Sequence, residues 1–131
     1  MTATVAPVAL EDTELGGVLT DLESLRGQFP AIGALCDAIR AIATDDTLNA
    51  DATATLLTVI ASNSGQPDVL SAFAHLIGHL SNADTNPAVR ALPAHQQKDA
   101  QHAGETAIYH LSDPSAADAV AEACAAITGC D

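Results

Sequence analysis

The residues of this chain best able to do chemistry are its imidazoles. All five, His75, His79, His95, His102 and His110, fall within one stretch of 36 residues, from 75 to 110. A neutral imidazole can ligate a transition metal or act as a general base, because it titrates near neutrality. His75 and His79 are four apart, so two rings on one helix could reach one ion. His95, Asp99 and His102 share a narrow sector of a second helix, since each residue turns by about 100°. Thr106 and Tyr109 continue that sector. Facing each other, the two sectors would offer four imidazoles and a carboxylate, a donor set suited to a divalent transition metal such as zinc. The candidate metal ligands are therefore His75, His79, His95, Asp99 and His102, with Tyr109 and His110 nearby.

Other chemistries lack their residues. Asp45, Thr47, Asn49 and Asp51 alternate as in a calcium loop. That loop needs glycine at position six and a bidentate glutamate at twelve. Ala50 and Leu56 stand there, so the stretch reads as a turn with Asx-type caps. His102 and Glu105 have the spacing of a di-iron ligand pair, but no second Glu-x-x-His exists to complete it. Glycine-rich phosphate loops and a nucleophile elbow are absent. Cys36 lies on an apolar helix face and reads as a core thiol. Cys124 and Cys130 are six apart, beyond the reach of a disulfide along one straight helix unless the last turn unwinds after Gly129.

The elements that must position the histidines are helices. The hydrophobic fraction is 48%, but 28 of those residues are alanine, and Phe29, Phe73 and Tyr109 are the whole aromatic content. Alanine has the highest helix propensity and the smallest apolar side chain. The composition implies thin helices packed closely, in an all-α antiparallel bundle of five to six helices with short loops. Residues 1–10 read as a flexible arm and 11–131 as a single helical domain. The first helix spans about 12–26, with Gly27 as its C-terminal cap and Leu15, Val18, Leu19, Leu22 and Leu25 on one face. A second starts at Pro30, a third runs over about 52–62, and a fourth over about 67–82. On the third, Leu56, Leu57, Val59 and Ile60 are expected to be buried. On the fourth, Val69, Leu70, Phe73, Leu76, Ile77 and Leu80 form the cleanest apolar stripe in the chain. Asn86-Pro87 and Asp113-Pro114 each read as a cap followed by a first-turn proline. Between them, Pro93 and Gly104 could each interrupt the helix.

If the stripe on the fourth helix faces the core, its histidines do not. His79 lies about 110° and His75 about 150° from the stripe centre. The sector from His95 to His102 similarly lies opposite Ala100, Ala103, Ala107, Ile108 and Leu111. The imidazoles are therefore expected on solvated faces.

Charge narrows the partners. Seventeen acids stand against Arg26, Arg40, Arg90 and Lys98, for a net charge of −13. Four cations neutralise few phosphates, and an anionic bilayer repels such a chain, so neither nucleic acid nor membrane is expected. No basic leader or apolar run of about twenty residues appears, and a cytoplasmic location is expected. Two readings of function emerge. One is a non-catalytic accessory, scaffold or regulatory subunit that binds a protein partner, with a basic surface or as a homo-oligomer. The other is a bundle that binds a metal or small ligand through its histidine-rich face, with histidine as ligand or general base.

Overall fold

The structure, a computed structural model, describes residues 8–62 and 65–129. It is all-helical, with no strand among the described residues. Among the described residues, seven α-helices follow a short 3-10 turn at Leu10–Asp12: α1 Glu14–Glu23, α2 Pro30–Ala43, α3 Ala50–Ile60, α4 Val69–Ser81, α5 Pro87–Arg90, α6 Ala94–Leu111 and α7 Pro114–Thr128. The chain divides between Thr47 and Leu48 into two compact units. Of the expected N-terminal arm, residues 1–7 lie outside the described residues, as does Cys130.

Local sequence sets most helix starts. Thr13, Asn49, Asp68, Asn86 and Asp113 each accept a backbone N–H of the first turn into a side-chain oxygen. Pro30, Pro87 and Pro114 occupy first-turn positions, where the missing N–H is no loss. The alternating stretch from Asp45 to Asp51 is a capped turn. Asp45 accepts the backbone N–H of Thr47, and Asn49 caps α3. The stretch after Asn86 resolves into two helices, parted at Pro93, and α6 then runs unbroken through Gly104. Gly27 is not a left-handed cap, since positive φ is confined among the described residues to Gly65 and Gly129. α1 stops instead at Glu23, where Arg26 collects the hinge. Its guanidinium donates to Glu23 at 2.7 Å, to the carbonyl of Gly33 at 3.1 Å and to Asp37 at 2.7 Å. Asp37 thereby holds its proton less tightly than an ordinary carboxyl.

In the first unit α1 and α2 form an antiparallel hairpin. Leu19 and Cys36 are fully buried where the helices meet, and the expectation of a core thiol at Cys36 holds. Gly16 lies under the N-terminal 3-10 turn. A Cβ there would overlap the carbonyl oxygen of Leu10, whereas one on Gly17 would meet nothing within 4 Å. These neighbours should therefore respond with opposite signs. Gly17→Ala is expected to stabilise by about 0.5–1 kcal/mol through helix propensity. Gly16→Ala is expected to destabilise by about 1–3 kcal/mol, because backbone must give way. Urea midpoints of the two variants check this.

In the second unit α3 packs on α7, α4 on α6, and the short α5 on α6. The buried positions are small: Ala54 and Ala61 at α3, Ala74 on α4 and Gly104 on α6, with Val89 on α5. The alanine-rich composition thus does give close-packed thin helices. On α7 the Cys124 thiol donates to the carbonyl of Ala54 at 3.3 Å.

Asp68 ties the turn between α3 and α4. Its two carboxylate oxygens accept from the backbone N–H groups of Ser71 and Ser62, each at 2.7 Å. Hydrogen bonds from the Ser71 side chain and from these two amides hold its pKa below the ordinary 3.8. The Asp45 and Asp113 carboxyls are lowered likewise, chiefly by the hydroxyls of Thr47 and Ser115. A depressed carboxylate contributes stability that is complete above its unfolded pKa and lost as pH falls through the folded value. Acid should therefore weaken the fold below about pH 4. Asp68→Asn, which can accept through one oxygen, should be less stable than the parent at neutral pH. The gap should narrow towards about pH 2–3, as measured by urea unfolding.

Candidate functional site

α4 carries three distinct faces, and its packing against α6 decides which are free. A Cβ on Gly78 would stand 2.5 Å from the end of the Ile108 side chain, and one on Gly104 would stand 2.7 Å from Ser81 Cβ. Residue 78 thus meets 108 while 81 meets 104, so the helices run antiparallel. The contact face of α4 is Ala74, Gly78 and Ser81. Small residues there let the two backbones approach more closely than leucines would allow.

This corrects the expected orientation of α4. Periodicity points its large apolar side chains inward, yet Phe73 is 36% exposed, Leu76 48% and Leu80 54%, with Val69 and Ile77 also open. The physical reason is the close helix contact. Once Gly78 and Gly104 come together, the apolar stripe is rotated away from α6. On α3, Val59 is likewise exposed, against the expectation of burial.

The histidines lie on the other flank of α4. His75 and His79 border a shallow cleft of about 340 Å³ between α4 and α6, together with Gly78, Gln101, Glu105 and Ile108. All five histidines are exposed, as expected from the sequence. Asp99 and His102 line a neighbouring open cleft with Lys98, Gln101 and Glu105. His95 borders neither. His110 stacks edge-on against the exposed Tyr109 ring at 5.6 Å. Thus His75, His79, His95, Asp99 and His102 are not brought to one point. Among the described residues, no group of three or more His, Cys, Asp or Glu side chains is placed to hold a metal ion.

The residue that sequence reasoning left out of the candidate site is Glu105, across the cleft from His75 and His79. It accepts a hydrogen bond from Gln101 at 3.2 Å. The signal was available: Gly104 beside it and Gly78 between the two histidines mark the faces that must meet.

The end of α4 is firmly tied. The carbonyl of His79 accepts from the Thr85 hydroxyl at 2.6 Å, and that of Leu80 from the Asn86 amide at 2.8 Å. These bonds satisfy carbonyls that a helix end leaves without intrahelical partners. The apolar face therefore sits on a helix fixed at both ends. No helix among the described residues is long and apolar enough to cross a membrane. Comparison with protein-family models, curated proteins and solved structures finds no match to the chain.

Proposed function

We propose that the protein is a non-catalytic interaction module, a cytoplasmic accessory or regulatory subunit that binds another protein through the apolar face of α4. The observation that carries this reading is the exposure of Val69, Phe73, Leu76, Ile77 and Leu80 on one helix. Isolated surface leucines are ordinary, but a contiguous apolar strip on an ordered helix marks a binding surface. The strip spans about three turns, the length that partner helices recognise at spacings of three and four residues. The open, dispersed histidines support no comparable catalytic reading.

The double variant Leu76→Lys, Leu80→Lys tests it. If the face is free for a partner, the variant should keep its helical circular dichroism. Its stability should stay within about 0.5 kcal/mol per site, as is usual for surface changes. Binding of a hydrophobic dye should fall. Unfolding of the variant would show that the face belongs inside the fold and would overturn the proposal.

A further inference from the structure

We infer that His75 and His79 form a chelating pair for one exchangeable divalent transition-metal ion, of the Zn²⁺ or Ni²⁺ class, on the wall of the α4–α6 cleft. Water completes the coordination. The pair lies on the flank of α4 away from the apolar strip, so the inference does not depend on the interaction reading. Spacing is its first support. Residues four apart on a helix hold their Cβ atoms about 5–6 Å apart on one face. Tetrahedral ligation at about 2.0–2.1 Å needs the two ring nitrogens about 3.3 Å apart, which side-chain rotation supplies. Helix-borne histidine pairs at this spacing hold zinc in H-E-x-x-H sites. Leu76 stands where those sites carry their general-base glutamate, so the ion here is held and not put to hydrolysis.

The surroundings favour a cation. Both rings are exposed, and neither makes a hydrogen bond, ion pair or ring contact among the described residues. His110, by contrast, is stacked against Tyr109. Glu105 borders the same cleft from α6, whereas Lys98 lines only its neighbour. α4 itself carries no lysine or arginine, and a net charge of −13 draws dications towards the surface. The second ligand also stands on firm backbone. The His79 carbonyl accepts from the Thr85 hydroxyl at 2.6 Å, and Gly78, beside it, packs against Ile108 of α6. The ordering cost of binding is therefore confined to two imidazole side chains. His95 and His102 on α6 are seven apart, about 10 Å along the axis, so they make no comparable pair. Among the described residues no third His, Cys, Asp or Glu joins the two imidazoles. Catalytic zinc sites use three protein ligands and structural ones four. Two ligands accordingly hold the ion loosely, in exchange with solvent.

The test titrates the full chain, stripped of metal and chelator, with Zn²⁺, Ni²⁺ and Mg²⁺ in a calorimeter. One Zn²⁺ or Ni²⁺ per chain should bind. Mg²⁺ should not, because it prefers oxygen ligands and sheds water reluctantly. His75→Gln and His79→Gln change exposed positions and should keep the helical spectrum. Each should weaken binding by at least about tenfold, the lower bound for removing even a partner of a ligand. The double variant His95→Gln, His102→Gln should leave the affinity within about twofold, since it touches neither ligand. Zn²⁺ should also slow amide exchange in the last turns of α4, and should not do so in His79→Gln. Absence of binding up to about 1 mM ion would overturn the inference. So would an affinity undiminished in His75→Gln or His79→Gln, as binding to thiols would give, or an equal loss in the α6 double variant.

Discussion

Leu19→Ala is expected to destabilise the first unit by about 3 kcal/mol, near the middle of the range for emptying a buried leucine site. Leu19 and Cys36 are the fully buried side chains of the α1–α2 hairpin. The other apolar residues described in this unit are at least partly accessible, so little else compensates for the lost contact. Small apolar cores rarely supply more than about 3–5 kcal/mol, and this change removes most of such a margin. Amide hydrogen exchange across α1 and α2 should accelerate by about a hundredfold, since 1.4 kcal/mol corresponds to a factor of ten. Val18 is 54% exposed on the same helix, and Val18→Ala should change exchange by less than about threefold. Equal effects of the two changes would show that Leu19 is not the keystone of the hairpin.

Gly104→Leu should have a comparable effect in the second unit. Even the first atom of a side chain would meet Ser81 Cβ at 2.7 Å and Ser81 Oγ at 3.0 Å, with Gly78 Cα at 3.5 Å. The nearest obstacles are atoms fixed close to the backbone of α4, so relief requires the helices to separate. A loss of about 2–3 kcal/mol is expected from overpacking. It should be read as a lower urea midpoint, with the slope showing whether the native state has opened. Gly104→Ala should lose less, because alanine regains up to about 1 kcal/mol of helix propensity. Ala103→Leu, on the exposed neighbour, should be close to neutral. A neutral Gly104→Leu would mean that α4 and α6 do not touch through their small residues.

The helices were legible because their causes are local. Asn86 and Asp113 sit where a capping oxygen is needed, with prolines in the first turn; the starts after Asn49 and Asp68 fall two residues from the expected 52 and 67. The solvated position of the histidines was legible too, although the apolar stripe of α4 does not face the core as that reasoning requires. Periodicity says that α4 has an apolar face; it does not say what that face touches. Gly78 and Gly104 decided otherwise, and a glycine contributes almost nothing to an apolar stripe. The pairing of α4 with α6 depends on contacts far apart in sequence, which a pattern within one helix does not encode. Glu105 entered the cleft for the same reason. The end of α1 was misjudged because Arg26 serves Gly33 and Asp37 across the hinge rather than the last turn of its own helix.

The side-chain caps have one more consequence. Each of five helices is told where to begin by an oxygen two or three residues from the amide it receives, and alanine favours the turns beyond it. Such instructions survive when distant packing loosens. Some helix is therefore expected to outlast tertiary order, most of all in α7, the longest of the five capped helices. A strongly helical spectrum attests to the caps and the alanines, and it is silent about whether Leu19 or Gly104 is still in its place.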